Sequence, residues 1–241
     1  MNDSVILSSR GLTKRFGGFV ALQGIDFALM DRERVGLIGP NGSGKSTFVN
    51  CLTGSLRVEE GQVTFSGDDI TAMPAWRRAH AGLARSFQIP RPFRGLTVRQ
   101  NIGVPLSFIA GMSDQADIDT RADEVLAQVG LLAKAGQSPK SLSQVELRKL
   151  ELGRAMAAGP RVLIADESMA GLSDSEVDEI LDVLMLLNES GIAIILIEHI
   201  MRAVVRFSQR LVVFVAGSKI ADGEPREVMR HPEVVRAYLG Q

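Results

Sequence analysis

A glycine-rich segment between an apolar run and a helical pattern constrains this chain more than any other feature. The apolar run, residues 35–38, predicts a buried strand, and residues 46–53 predict a helix. Such a strand, turn and helix N-terminus direct backbone N–H groups at an anion, and the helix adds its partial positive charge. The segment therefore predicts a phosphate-binding loop (P-loop), G-x-x-x-x-G-K-[ST]. Its nine residues, all expected to bind a nucleotide, are Gly39, Pro40, Asn41, Gly42, Ser43, Gly44, Lys45, Ser46 and Thr47.

Two residues of this loop have distinct expected roles. Lys45 is expected to reach the β- and γ-phosphates, and the Ser46 hydroxyl to ligate Mg²⁺. The alternative is a glycine-rich turn that happens to contain a lysine. Further along, the apolar run at residues 162–165 ends in Asp166 and Glu167. Asp166 is expected to hold the Mg²⁺ water shell, and Glu167 to polarise an attacking water. Taken alone, this second pattern also fits a capping carboxylate, but together the two motifs predict nucleotide hydrolysis.

Composition restricts the class of protein. The chain has 241 residues, 45% of them apolar, which is enough for one large α/β domain. A net charge of −1 argues against a surface that binds nucleic acid, and one cysteine excludes an internal disulfide. The first residues lack the basic and apolar regions of a signal peptide. The longest apolar runs have six residues, whereas a membrane span needs about twenty. We therefore expect a soluble protein that associates with a membrane only through a partner.

Strand and helix patterns divide the chain into three parts. Strands are predicted at residues 4–9, 24–30, 33–38 and 61–66, and helices at residues 97–110, 117–129 and 141–158. From residue 161 onward, strands (161–165, 193–197, 211–215) alternate with helices, one of them at residues 173–189. Apolar strands between helices predict a parallel sheet covered on both faces. The pattern thus predicts an α/β core interrupted by a helical block.

Several further segments give the chain a family resemblance along nearly its whole length. They are LTKRFGG (12–18), ARSFQ (84–88), LTVRQN (96–101), AGL (170–172), IEH (197–199) and AYLG (237–240). With the two nucleotide motifs, they resemble the ATP-binding subunits of ABC transporters, most closely those of branched-chain amino acid importers. The resemblance implies a single ABC ATPase domain over residues 1–241. It would have an α/β P-loop NTPase core with a mixed sheet, an antiparallel β subdomain and a helical subdomain inserted at about residues 90–160.

The resemblance also implies roles for three residues outside the nucleotide motifs. Phe16 would stack on adenine, Gln88 would touch Mg²⁺ and the attacking water, and His199 would lie near the γ-phosphate. Gln88 would in addition sense the membrane partner. Each has a structural alternative: a core phenylalanine, a polar loop residue and a structural histidine. Glu167, His199 and Gln88 would then form the catalytic set, and the metal set would be Ser46, Gln88 and Asp166.

One segment departs from the family pattern. The family's signature, L-S-G-G-Q at the start of a helix, aligns with residues 142–146, here LSQVE. In ABC ATPases this segment completes the ATP site of the partner subunit, so Ser143, Gln144 and Val145 are expected to contact the partner's nucleotide. Val145 replaces a glycine, and its side chain is expected to crowd this approach. Glu146 is expected to repel the γ-phosphate.

These observations lead to one principal functional hypothesis and two alternatives. The principal hypothesis is an ATP-hydrolysing, Mg²⁺-dependent motor subunit of an importer, for branched-chain amino acids or a related small polar solute. It would lie peripherally on the cytoplasmic face of the inner membrane, bound to transmembrane permease subunits. It would form a dimer with a second ATPase subunit. A heterodimer is favoured over a homodimer because importers of the resembled class use two different ATPase subunits. The alternatives are a regulatory ABC subunit that hydrolyses ATP poorly, and an ABC ATPase without a transport role.

Overall fold

The computed structural model describes residues 4–86 and 90–239 and contains two β-sheets with helices packed around them. The strands are β1 (Val5–Phe16), β2 (Phe19–Met30), β3 (Arg34–Ile38), β4 (Glu60–Phe65), β5 (Asp68–Asp69), β6 (Leu83–Ser86), β7 (Val162–Asp166), β8 (Ala193–Ile197), β9 (Arg210–Val215) and β10 (Ser218–Gly223). The helices are α1 (Lys45–Leu52), α2 (Ala75–His80), α3 (Val98–Phe108), α4 (Gln115–Gln128), α5 (Gln144–Ala157), α6 (Asp174–Glu189), α7 (Met201–Phe207), α8 (Pro225–Val228) and α9 (Pro232–Leu239).

The larger sheet carries the predicted nucleotide motifs. Its strand order is β10-β9-β3-β8-β7-β6, in which β10 is antiparallel to β9 and the other neighbours are parallel. Every residue of β7 and β8 is buried, as expected for strands covered by helices on both faces. The P-loop, Glu167 and His199 follow β3, β7 and β8. Since parallel strands end at the same edge, all three lie at one edge of the sheet.

The smaller sheet is antiparallel and has the strand order β2-β1-β4-β5. Its first two strands have twelve residues each, so both are longer than the predicted strands at 4–9 and 24–30. Register shifts between Ser9 and Leu12 interrupt the alternation of buried and exposed residues, which hid the continuation of β1 from the sequence pattern. At the far end of this hairpin, Phe16 pairs with Phe19 across the Gly17–Gly18 turn.

Three helices, α3 to α5, lie between β6 and β7 in the sequence, and they share a hydrophobic core. Their bounds agree with the predicted stretches except at the start of α5. There a 3₁₀ turn at Pro139–Ser141 precedes the helix, and Ser143 is its N-cap residue. The limits of about 90–160 for an inserted helical subdomain stay a prediction. Among the described residues, no helix is long and apolar enough to cross a membrane.

Candidate nucleotide-binding site

A pocket of about 280 Å³ lies where the β1–β2 hairpin meets the P-loop. It brings together several elements that are distant in sequence. Its walls are formed by Phe16, Phe19, Ala21, Glu167 and residues 41–47. The structure therefore assembles most of the P-loop, the expected adenine-stacking residue and the expected catalytic carboxylate around one cavity. The signature segment, residues 142–146, does not line this pocket.

The helix that follows the P-loop is open to an anion at its N-terminus. Gly44, the N-cap residue of α1, has φ +104° and provides no side-chain cap. A Cβ atom at this position would lie 2.8 Å from the carbonyl oxygen of Ala21, so the close packing of the loop against β2 requires glycine. No acidic residue occurs in the first turn of α1. The free N–H groups and the helix dipole thus fit a phosphate.

Lys45 is almost completely buried beneath this loop. Its Nζ atom donates hydrogen bonds to the carbonyl oxygens of Gly39 (2.6 Å) and Pro40 (3.2 Å). Burial lowers the pKa of the ammonium group, and the nearby carboxylates of Glu167 and Asp166 oppose this lowering. A desolvated ammonium group gains most from a strongly charged acceptor, and a phosphate is such an acceptor. Lys45 is therefore placed for the phosphate contact that the sequence predicts.

Glu167 and His199 form a hydrogen-bonded pair at the edge of the pocket. The distance between His199 Nε2 and Glu167 Oε1 is 3.0 Å, and the backbone N–H of Glu167 donates to the carbonyl of Ile197. Glu167 has φ +47°, a conformation that costs energy for a residue with a side chain. Strained backbone of this kind clusters at functional sites. The pair can hold a water molecule and accept its proton.

Asp166 directly precedes Glu167, but its carboxylate forms an ion pair with Arg85. Arg85 Nη2 lies 2.5 Å from Asp166 Oδ2, and Arg85 Nη1 donates to Asn50 Oδ1 of helix α1 at 2.6 Å. Oxygen donors such as Asp166 and the Ser46 hydroxyl fit Mg²⁺, which usually takes few protein ligands and keeps several waters. Gln88, the third predicted metal ligand, lies outside the described residues.

Val145 is oriented differently from the sequence prediction. It is only 7% exposed and belongs to the core that α3, α4 and α5 share. The expectation that its side chain crowds a partner's nucleotide is therefore wrong. The physical reason is that Ser143 caps the helix, so Val145 occupies the inward face of the first turn of α5. If this residue contacts a partner, it does so through its backbone.

Glu146 also differs from its expected role. Its carboxylate accepts a hydrogen bond from the N–H of Ser143 (2.9 Å), while Ser143 Oγ accepts one from the N–H of Glu146, which forms a capping box. Lys134 Nζ lies 2.5 Å from the other carboxylate oxygen. The hydrogen bonds from Lys134 and Ser143 lower the pKa of Glu146. Its negative charge is thus compensated within the subunit, contrary to the expected repulsion of phosphate.

We expect Val145→Gly to destabilise the protein and not to restore a more active signature. The substitution leaves a cavity in the helical core and adds the helix penalty of glycine, together about 2–4 kcal/mol in the free energy of unfolding. Urea denaturation of the purified subunit measures this loss. Gln144→Gly is the matched control, because Gln144 is exposed in the same turn and its replacement should cost only about 1 kcal/mol. Equal losses in the two variants would contradict the buried position of Val145.

Glu198 is a buried carboxylate that the sequence analysis did not single out. It is 2% exposed, and its Oε1 atom accepts a hydrogen bond from the N–H of Met169 at 2.8 Å. Burial raises the pKa of Glu198 from its ordinary value of 4.5 to about 7. The folded protein therefore binds this proton more tightly than the unfolded chain does.

The raised pKa of Glu198 predicts a pH dependence of stability. As the pH rises from about 4.5 to about 7, this group should lower the free energy of unfolding by about 3 kcal/mol. Glu198→Gln retains an oxygen acceptor for Met169 and should remove this decline when urea denaturation is followed across that range. Glu176→Gln is the control, because the hydrogen bonds from Ser173 lower the pKa of Glu176, so its contribution to stability changes mainly below pH 4.5 and the slope in this range should be unaffected. An unchanged slope in Glu198→Gln would contradict the assignment.

A family model described as ABC transporter matches residues 22–170, more than half of the chain. The chain belongs to the ABC transporter ATP-binding family. A second family model, described as branched-chain amino acid ATP-binding cassette transporter, matches residues 218–241 of this ABC subunit. The family resemblance predicted from the sequence is thus confirmed. ABC transporter ATP-binding proteins are ATPases coupled to transport, so the enzyme class predicted for the chain is confirmed with it.

Curated relatives match this ABC subunit over nearly their full length. The high-affinity branched-chain amino acid transport ATP-binding protein LivG of Salmonella typhimurium is 36% identical, and BraF of Pseudomonas aeruginosa is 34% identical; each alignment covers 98% of both chains. A solved nucleotide-free ATP-binding cassette from an ABC transporter superposes with a TM-score of 0.88 at 29% identity, covering 99% of this chain and 100% of the other. The predicted fold class, an α/β P-loop core with an antiparallel β subdomain and a helical subdomain, is confirmed.

Sequence analysis missed three features of the site. Phe19 lines the pocket together with Phe16, its partner in the β1–β2 hairpin. The sequence Phe-Gly-Gly-Phe is a hairpin pattern that could have predicted this pairing. The ion pair between Arg85 and Asp166 depends on the pairing of β6 with β7, which no local sequence pattern shows. Glu198 lies directly before His199, at the end of an apolar strand. A charged residue in that position is a pattern that could have indicated a buried carboxylate.

Proposed function

We propose that this subunit hydrolyses ATP to drive an importer of branched-chain amino acids or of a related small polar solute. The observation that carries the proposal is the convergence of the P-loop, Glu167 and His199 at one edge of the sheet. The substrate class comes from the relatives alone, since a motor subunit does not touch the transported solute.

In the proposed reaction, residues of the pocket bind and orient ATP. Phe16 stacks on adenine, the N–H groups at the start of α1 hold the phosphates, and Lys45 moves from the loop carbonyls to the phosphate oxygens. Ser46 and Asp166, with Gln88, would hold Mg²⁺, which would supply positive charge next to the phosphates. Glu167 orients the attacking water and accepts its proton, while His199 fixes the Glu167 carboxylate through their hydrogen bond.

The partner's nucleotide is contacted by the N-terminus of α5 in this proposal. Ser143 and the first N–H groups of the helix, including those of Gln144 and Val145, would meet the γ-phosphate across the dimer. We favour a heterodimer with a second ATPase subunit. The alternative of a regulatory, poorly hydrolysing subunit rested on Val145 and Glu146. The inward position of Val145 and the compensated charge of Glu146 remove that argument.

A groove between the sheet core and the α3–α5 helices is the proposed contact for a permease subunit. The groove has a volume of about 320 Å³ and is largely apolar. Its walls include Ala79, Leu83, Val104, Pro105, Phe108 and Arg154. Phe108 in this wall is 77% exposed, and Trp76, which follows Ala75 of the wall, is 60% exposed. An exposed apolar groove of this kind suits a short permease segment at the cytoplasmic face of the membrane.

We expect Phe108→Ser to weaken association with the permease by about tenfold, because an exposed aromatic anchor at an interface typically contributes 1–2 kcal/mol. Titration of the subunit onto permease in detergent measures this affinity. Leu186→Ser on α6 is the control, since Leu186 is also exposed but lies outside the groove. Equal affinities for the two variants would contradict the proposed contact.

The experiment that tests the proposed function is ATP turnover by the complex of this subunit, the permease subunits and the second ATPase. Turnover that depends on this subunit's Lys45 and Glu167 would support the proposal.

A further inference from the structure

Helix α5 and the loop after Glu167 meet at one backbone oxygen, the carbonyl of Ala170. Arg148 Nη2 donates to this oxygen at 3.3 Å. Gln144, four residues earlier on the same face of α5, places its Nε2 atom 3.5 Å from it. Helix α5, which begins at the signature segment, is therefore hydrogen-bonded to the loop that follows Glu167.

Glu198 binds the same loop one residue earlier, at Met169. Its Oε1 atom accepts a hydrogen bond from the N–H of Met169, the residue before Ala170. The same carboxylate accepts a hydrogen bond from the backbone N–H of His199. One buried side chain thus holds both the loop that follows Glu167 and the backbone of the histidine that contacts Glu167.

Stability alone does not explain these two buried charges. Arg148 and Glu198 are both less than a tenth exposed, and the Glu198 carboxylate is close enough to oppose the lowering of the Arg148 pKa by burial. Within residues 4–86 and 90–239, Arg148 Nε and Nη1 are buried without a hydrogen-bond partner. Buried charged groups with unsatisfied donors contribute little to stability, and apolar replacements of similar size are often neutral or stabilising.

We infer that Arg148 and Glu198 are positioning residues which hold Glu167 and His199 in a fixed relation to the signature helix. This inference rests on the proposed function. Glu167 serves the subunit's own ATP site, whereas Ser143 at the start of α5 would serve the partner's site. Arg148 therefore joins the helix that Ser143 caps to the loop after Glu167, and Glu198 holds the same loop through Met169, so the two residues link the two ATP sites of the proposed dimer.

A double variant separates positioning from packing. Arg148→Met with Glu198→Met removes both charges and all their hydrogen bonds while keeping the volume. Lys149→Met with Glu179→Gln is the matched control, because this pair also joins α5 to a neighbouring helix (2.6 Å) but does not touch the loop. Two single variants test rescue: Glu198→Gln keeps an acceptor for Met169, and Arg148→Lys keeps a charge. If the double variant does not fold, the same measurements are made on the single variants.

The readouts are kcat and KM for ATP in the assembled complex, and amide hydrogen exchange of residues 168–172 in the nucleotide-free subunit. We expect the double variant to lower kcat by about tenfold or more with KM unchanged, since small misplacements of catalytic groups have effects of this size. Exchange at residues 168–172 should rise, the control pair should resemble the wild type, and Glu198→Gln should recover most of the loss.

Wild-type kcat and wild-type exchange in a folded double variant would overturn the inference, as would an equal loss in the control pair. A fall in kcat with a matching rise in KM would also overturn it, because that result indicates damage to ATP binding. If the wild-type complex shows no ATP turnover, the proposed function fails, and the exchange measurement still decides whether the pair fixes the loop.

Discussion

Replacing Glu167 with glutamine should leave ATP binding intact and slow hydrolysis by about 10²-fold or more, the scale for losing a positioned general base. Glutamine keeps the size of the side chain and can still hydrogen-bond to His199, but it cannot accept the proton of the attacking water. Because Glu167 forms only part of the pocket wall and glutamine fills the same space, affinity for ATP should change little. Single-turnover hydrolysis and equilibrium binding of a fluorescent ATP analogue separate the two effects.

The variant should also accumulate as an ATP-bound dimer, since closure would occur without hydrolysis. Size-exclusion chromatography with and without ATP detects this species. The control is Glu176→Gln, which changes a half-buried carboxylate on α6 away from the pocket. Near-native turnover in Glu167→Gln would show that Glu167 is not the base and that another group, such as His199, orients the water.

Replacing Lys45 with alanine should weaken ATP binding by about 10- to 100-fold, which corresponds to losing a charge-assisted hydrogen bond of 1.5–3 kcal/mol. The buried ammonium group now donates to the carbonyls of Gly39 and Pro40, and these contacts would be exchanged for phosphate oxygens. Isothermal titration with ATP measures the change. Lys140→Ala, at an exposed position before the signature segment, is the control. Unchanged affinity and turnover in Lys45→Ala would contradict the assignment of the P-loop.

The central part of the site could be predicted from the sequence because it follows from local patterns and one rule of topology. The glycine spacing predicts the P-loop, and the apolar runs before Glu167 and His199 predict parallel strands. Parallel strands end at one edge, so these groups were expected to meet there. The contact of 3.0 Å between Glu167 and His199 agrees with that expectation.

Other features could not be predicted because they depend on which face of an element is buried. The alignment of residues 142–146 with the family signature suggested an exposed Val145. The start of α5 after Ser143 turns that side chain inward instead. A shift of one residue in a helix start moves a side chain by about 100° around the axis, and the sequence pattern does not fix helix starts so closely. The ion pair Arg85–Asp166 and the hydrogen bonds of Arg148 and Glu198 to residues 169–170 likewise depend on tertiary packing between distant segments.

The central claim is that this subunit supplies the catalytic Glu167 of a transport ATPase, and steady-state ATP turnover by the reconstituted complex tests it most directly. The complex should be assembled with permease and second ATPase subunits in lipid, once with the wild-type chain and once with Glu167→Gln. We predict permease-stimulated turnover for the wild type and a loss of about 10²-fold at this subunit's site for the variant. Equal turnover in the two complexes, with assembly and ATP binding confirmed in both, would contradict the claim.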